Sequence, residues 1–189
     1  MTAPRVIVVE DPDEALVERY RAGDSAALAT LVVRYRGPVY NAAYRVLGNV
    51  DDAGDVTQIV FLRIAERLHG YDSRYKFFSW IYRIALNEAI SMLRQHGREE
   101  PLAEDADFPA GQRADPSWQA EESQRSARIQ GALMKLRAKD RMLLVLRHFS
   151  DCSYREIGEA LELDEKTVKS RLFEARQRLK GLLREMAPA

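Results

Sequence analysis

Residues 153–179 read SYREIGEALELDEKTVKSRLFEARQRL, and the order of small, apolar and basic residues in this stretch decides the fold of its half of the chain. Ile157, Leu161 and Leu163 supply the apolar contacts of a short helix and a tight turn. Asp164 then caps a second, longer helix, because its carboxylate can accept amide hydrogens that a first helical turn leaves unpaired. On that helix Val168, Leu172, Ala175, Leu179 and Leu183 recur every three or four residues and share one narrow face, the side that packs on a core. Lys166, Lys169, Ser170, Phe173, Gln177 and Lys180 lie opposite, with Thr167 in the first turn. Arg171, Arg176 and Arg178 stand at the flanks. A helix that is apolar behind and basic or polar in front can lay its front on base edges in a major groove while flanking cations meet phosphates. A plain solvated basic helix is the alternative; the succession of small residue, turn and capped basic helix favours the reading of duplex DNA.

Charge along the chain supports that view, although the 189 residues carry 29 basic and 29 acidic side chains and a formal net charge of zero. Residues 1–95 hold 12 of each sign, residues 96–126 hold 3 basic and 8 acidic, and residues 127–189 hold 14 basic and 9 acidic, so the three parts stand at 0, −5 and +5. Residues 166–184 alone contain seven basic side chains against Glu174. A neutral total therefore hides a basic C-terminal helix and an acidic middle.

Upstream, helix signals dominate and no segment alternates with a period of two, so the expected fold class is all-α. Asp11-Pro12-Asp13-Glu14 is a helix start with Asp11 as cap; Gly23 ends that helix, and Asp24 caps the next, which reaches about Arg36. Gly37-Pro38 breaks or restarts the chain, Gly48 closes a third helix, a fourth runs from Asp52 to His69, and a fifth spans Phe77 to Gln95. Residues 97–117, with Pro101, Pro109, Pro116 and an excess of acids, cannot nucleate a core and read as a flexible acidic linker. About 20 such residues reach roughly 70 Å when stretched and average roughly 25 Å as a coil. Four further helices are expected at 118–137, 139–149, 154–161 and 166–186. The organisation is a tail (1–13), a helical domain (14–96), the linker, and a second helical domain (118–189) containing the helix-turn-helix.

Two stretches of the first domain stand out. On the helix through residues 55–68, Val56, Val60, Phe61, Ile64, Ala65 and Leu68 gather on one side, leaving Asp55, Gln58, Ile59, Leu62 and Glu66 on the other. An apolar pair ringed by polar groups is either a docking surface or residues packed beneath a neighbouring helix. Residues 71–82, YDSRYKFFSWIY, hold six of the chain's sixteen aromatic residues, interleaved with Arg74 and Lys76 and followed by Arg83. Rings that stack on bases, beside cations that track phosphates, suit single-stranded nucleic acid: each stack returns about 1–3 kcal/mol, against a few kcal/mol to extrude a base. Aromatics at helical spacing also serve as core, and Phe77 and Trp80 are the ones expected to be partly structural.

At this point both ends of the chain resemble one family, the extracytoplasmic-function sigma factors, which are specificity subunits of bacterial RNA polymerase. DVTQIVFLRI (55–64) with FFSWIYRIALNEAISMLR (77–94) is similar to the family's second conserved region, and SYREIGEALELDEKTVKSRLFEAR (153–176) to its fourth. The resemblance runs from about Glu14 to Leu183, linker excepted. It implies that Asp55, Gln58, Ile59, Phe61 and Leu62 belong to the face that docks on the polymerase clamp. It implies that Tyr71, Arg74, Tyr75 and Lys76 sit in the loop that captures a flipped base of the −10 element, with Phe77, Ser79, Trp80, Arg83 and Asn87 on the helix beside it. It implies that Lys166, Thr167, Lys169, Ser170, Arg171, Phe173 and Arg176 read the −35 element, and that the linker threads the polymerase near the RNA exit path. Ile59 departs from the family's usual glutamate; Arg137, Asp151 and Glu162 stand where proline, glycine and glycine are common, which makes the turn at Glu162 the unusual geometry.

The resemblance further implies core RNA polymerase and promoter DNA as partners, an anti-sigma factor as the regulator, and no catalytic activity, metal or cofactor. Other classes fit less well. A stand-alone helix-turn-helix regulator would leave the aromatic loop without a task. An enzyme would need more than His148 and Cys152, since two candidate ligands without a third make poor metal sites. No run of eighteen apolar residues and no signal-peptide pattern occurs, and the single cysteine suits a reducing compartment, so the expected location is the cytoplasm, without direct membrane insertion.

Overall fold

Among the described residues, eight α-helices and one 3-10 turn make up the regular structure: α1 (Asp13–Arg21), α2 (Ser25–Leu47), α3 (Val50–Arg67) continued by the 3-10 turn Leu68–Gly70, α4 (Phe77–Gln95), α5 (Trp118–Met134), α6 (Ala138–His148), α7 (Tyr154–Leu161) and α8 (Glu165–Glu185). The structure is a computed structural model that describes residues 11–97 and 118–186, with the backbone alone for 118–124. No strand occurs among the described residues. The expected tail as far as residue 10, and the expected linker beyond residue 97, lie outside them.

Local chemistry accounts for most of the helix ends. The side chains of Asp24 and Asn49 accept amide hydrogens from Ala26 and Asp52 and so cap α2 and α3. Ser153 and Glu156 form a reciprocal capping box at the start of α7, and Asp164 accepts from the Thr167 amide at 2.8 Å to start α8. Gly48 closes α2 in the left-handed conformation, with φ of 72°.

Two expectations need correcting. Pro12, not Asp11, is the residue at the N-cap of α1, and the Asp11 carboxylate instead pairs with Arg19 at 2.6 Å. Gly37-Pro38 does not interrupt the chain: α2 runs through both as one 23-residue helix. Proline removes one amide donor, yet Tyr35, Val39, Ala42 and Ala43 on either side of it are buried, and burial of that stripe outweighs the local defect.

In the first half α2 packs against α1, α3 and α4. Of the expected stripe of α3, Val56, Val60, Ile64 and Leu68 are inaccessible, and Phe61 and Ala65 are partly covered. Ile81, Ala85, Leu86, Ala89 and Leu93 supply the face of α4. In the second half α8 packs on α5, α6 and α7, and buries Val168, Leu172 and Ala175. Among the described residues, two other than glycine adopt positive φ, Asp151 (52°) and Glu162 (56°), and they are the two positions expected to depart from a common glycine. Glu162 ends α7 in the left-handed region, a conformation that costs an L-residue roughly 1–2 kcal/mol. Glu162→Gly is therefore expected to stabilise the C-terminal half by up to about 1 kcal/mol once glycine's greater unfolded-state freedom is offset, seen as a higher urea midpoint.

The halves also pack on each other, α4 against α7 and α2 against α5 and α6. Helix α6 shows the consequence, because six successive residues, Arg141 to Leu146, are all buried between α8 on one side and α2 on the other. One guanidinium nitrogen of Arg141 donates there to the Met134 carbonyl oxygen at 3.3 Å, at the negative end of α5, while Nε and Nη2 find no hydrogen-bond partner among the described residues. Burial nevertheless pulls its pKa down to about 10.

Candidate nucleic-acid and partner interfaces

Helix α8 presents the front that its periodicity promised. Lys166, Lys169, Ser170, Arg171 and Phe173 are exposed, Phe173 to 62%, while the opposite face is buried. Thr167 is half-buried and its hydroxyl donates to the Asp164 carboxylate at 2.6 Å, so it serves the cap. That bond and the amide bond from Thr167 hold the Asp164 carboxyl below its usual range. Lys169 lies 3.9 Å from Glu165 and 5.6 Å from the Tyr154 ring centroid, which steers it toward the start of the helix. Arg176 donates to His148 Nε2 at 3.1 Å; burial, then the Arg176 and Arg147 charges, lower the His148 pKa. His148 is thus engaged by Arg176, while Cys152 is buried with its thiol pushed up to about 12, chiefly by burial. The two do not form a shared site.

On α3 the outward residues are Asp55, Gln58 and Leu62, the last 65% exposed, with Ile59 and Phe61 half-buried beside them. A leucine this exposed between an acid and an amide, with no helix over it among the described residues, answers the choice left open by periodicity. The position is a free surface and not an inter-helix contact.

The aromatic segment divides. Tyr71 and Phe77 are buried, their rings 5.6 Å apart and edge to face, and Phe77 also meets Tyr35 at 5.4 Å. The Tyr71 hydroxyl donates to the Tyr75 carbonyl oxygen, and Arg21 donates to the Tyr71 carbonyl oxygen. Ser79 is buried as well. These three, expected among the residues that meet DNA, have their side chains inside, where they shape the loop that the others occupy. Tyr75 is 52% exposed, and Trp80 is partly buried against Tyr71 and Phe77 with its remaining edge in a cleft of about 500 Å³. Arg74 is held by Asp72 at 2.6 Å, and Asn87 is exposed further along α4.

What sequence periodicity missed is the partner of this segment. Lys76 Nζ donates to Glu156 Oε1 at 2.6 Å, and Arg83 donates to Glu162 Oε1 at 3.2 Å, both across the junction of the halves. Away from them, the Arg45 guanidinium stacks 4.3 Å from the centroid of Phe149, and Gln130 donates to the Tyr44 carbonyl oxygen at 3.2 Å. The one available signal was the three-residue spacing of Glu156, Glu159, Glu162 and Glu165.

Burial works against the Glu156 charge, but bonds from Lys76 and from the Ser153 side chain and backbone outweigh it and hold the carboxyl at about 2. A depressed carboxyl contributes its stabilisation above the ordinary value of 4.5 and loses it as pH falls toward about 2. The radius of gyration from solution scattering is therefore expected to stay constant from about pH 5 to pH 9 and to grow only in acid.

Comparison with known proteins adds the following. The family described as Sigma-70 region 2 matches residues 31–99, and Sigma-70, region 4 matches residues 126–179. RNA polymerase sigma-H factor of Pseudomonas aeruginosa is 31% identical over 95% of this chain and 100% of its own length. ECF RNA polymerase sigma factor SigW of Bacillus subtilis is 32% identical over 90% of this chain and 96% of its own. Among solved structures, CnrH in complex with the cytosolic domain of CnrY is 25% identical and superposes with a TM-score of 0.72 over 94% of this chain and 100% of that one. The sigma factor RpoE of Bartonella quintana, solved with the anti-sigma factor NepR, shares the fold at 21% identity and a TM-score of 0.66, over 84% of this chain and 98% of that one.

Proposed function

The chain belongs to the extracytoplasmic-function branch of the sigma-70 family, and from that premise we propose which of its surfaces performs each step of promoter recognition. As an alternative sigma factor it binds core RNA polymerase, recognises the −35 and −10 promoter elements and helps open the DNA to initiate transcription.

Helix α8 reads the −35 duplex with Lys166, Lys169, Ser170, Arg171 and Phe173, while Arg176 meets phosphate. The observation that carries this assignment is the exposure of that whole front over a buried back. The outward face of α3, centred on Leu62 with Asp55 and Gln58, docks on the polymerase. Loop 71–76 and the start of α4 take the unpaired −10 strand: Tyr75 and the free edge of Trp80 stack on bases, and Lys76, Arg83 and Asn87 meet the backbone or base edges. Tyr71, Phe77 and Ser79 act by holding the loop. Residues 14–96 and 118–189 are the two working domains.

The protein works as an initiation factor, in the cytoplasm where its polymerase is, and itself catalyses no reaction. No helix among the described residues is long and apolar enough to cross a membrane. An anti-sigma factor is its regulator, a proposal supported by the solved relative that carries one.

The defining experiment is run-off transcription from a cognate promoter with purified core polymerase. Transcripts are expected only when both proteins are present, and failure to bind core polymerase would overturn the assignment. A gel shift without polymerase distinguishes a stand-alone regulator, which would bind duplex tightly. Weak binding at physiological salt is expected here, because one small module neutralises few phosphates. Within the holoenzyme, Trp80→Ala is expected to lower permanganate reactivity of unpaired thymines roughly tenfold while sparing closed-complex formation, since a lost base stack is worth about 1–3 kcal/mol. Equal loss in both steps would move Trp80 out of the strand-binding surface.

A further inference from the structure

The surface assigned to the unpaired strand already has a partner in the free chain. Helix α7, the turn after it and the first residue of α8 carry Glu156, Glu159, Glu162 and Glu165 at a constant spacing of three residues. Glu159, Glu162 and Glu165 line the same cleft as Tyr75, Trp80 and Arg83. Glu156 and Glu162 accept from Lys76 and Arg83 across that junction, at 2.6 Å and 3.2 Å. These two cations are among those a DNA strand would need, and a carboxylate occupies each as a phosphate would. The other working surfaces are not covered in this way: Lys166, Ser170 and Phe173 on α8 and Leu62 on α3 remain exposed.

We propose that the acidic edge of α7 is an internal competitor for unpaired promoter DNA, so that the free chain closes its strand-binding cleft while its duplex-reading helix and its polymerase-docking face stay open. The inference rests on the assignment of loop 71–76 and α4 to the unpaired strand. Each pair has one well-exposed partner, Lys76 at 63% against Glu156 at 17% and Glu162 at 75% against Arg83 at 43%, and an ion pair open to solvent on one side is weak by itself. Both halves belong to one chain, however, so the acids stand at the high effective concentration of an intramolecular partner. Weak pairs in that setting reduce strand affinity without locking the molecule. They set an order of events: duplex and polymerase are engaged first, and the cleft opens when α7 is drawn away with the −35 DNA. Exposed pairs are also screened by salt, which acts in the same direction as opening.

The test uses the full chain with Glu156→Gln and Glu162→Gln together. Glutamine at 156 preserves the capping box with Ser153, so α7 keeps its start while both charges are removed. Labels on Val33→Cys and Glu185→Cys, both exposed and on opposite halves, report the separation by energy transfer, and buried Cys152 stays unlabelled. Affinity is measured for an A·T-rich single-stranded oligonucleotide and for a mixed-sequence duplex. The double variant is expected to bind the single strand about three- to tenfold more tightly, to show lower energy transfer, and to bind the duplex with unchanged affinity. Lower transfer with unchanged strand affinity would overturn the competition, as would no change in either. An equal rise in duplex affinity would also overturn it, since it would mark a general charge effect. If neither chain binds the strand while run-off transcription proceeds, the strand assignment of this cleft fails and the competition with it, although the sigma activity stands.

Discussion

Gly158→Val is expected to cost the C-terminal half about 3 kcal/mol or more and to abolish −35 recognition while leaving the N-terminal half folded. A Cβ placed on Gly158 would lie 2.6 Å from the carbonyl oxygen of Leu163 and 4.0 Å from Cγ2 of Val168. The nearer atom is backbone in a tight turn and cannot rotate away. Leu163 is tied back by its amide bond to the Gly158 oxygen at 2.9 Å, and it directly precedes the Asp164 cap of α8. Relief of the clash therefore means moving α8 relative to α7, and with it the entire front that reads DNA. Urea unfolding followed by circular dichroism should show an earlier transition for the C-terminal half, and a duplex gel shift should show no specific complex. A variant with an unchanged midpoint would mean that the turn yields more easily than its backbone geometry implies.

Leu62→Asp is expected to reduce core polymerase affinity by roughly 30-fold or more, with no change in folding. The side chain is 65% exposed, so the substitution removes little that the folded chain uses, and exposed sites of this kind shift stability within about 0.5 kcal/mol. At a docking centre the same change places a charge where an apolar anchor is to be desolvated, and such anchors carry about 2 kcal/mol or more. Anisotropy titration with core polymerase gives the affinity directly, and run-off transcription should fall in parallel. Normal affinity would shift the docking face away from this side of α3. The two substitutions act at opposite ends of the mechanism. One removes the reader of the duplex, the other the attachment to the machine, and an intact N-terminal half in the first case separates them.

Periodicity was a sound guide wherever one face of a helix meets one core. The stripe of α3 and the back of α8 are buried as three- and four-residue spacing requires, apart from Phe61 and Ala65 on α3 and Leu179 and Leu183 near the end of α8, which are only partly covered. Caps at Asp24 and Asp164 were legible too, because a short polar side chain and an amide two or three residues away are all that a cap involves. Pro38 misled because its local cost is visible in the sequence and the burial that overrides it is not. The aromatic segment was legible in composition and illegible in detail. Phe77 was expected to be partly structural and does turn inward, toward Tyr35 of a distant helix, but nothing in YDSRYKFFSWIY says that Tyr71 turns in with it while Tyr75 turns out.

Composition and short-range pattern thus determined most of the helices, most of their buried faces and the helix-turn-helix, since each depends on residues within a few turns of one another. Tertiary structure alone decided which rings are free, that Leu62 is uncovered, and that Glu156 and Glu162 meet Lys76 and Arg83 some eighty positions away in the chain. The physical reason is range. Hydrogen-bonded caps and helical faces are local, whereas a pairing between halves depends on how two finished surfaces fit, and no repeat in the chain encodes that fit.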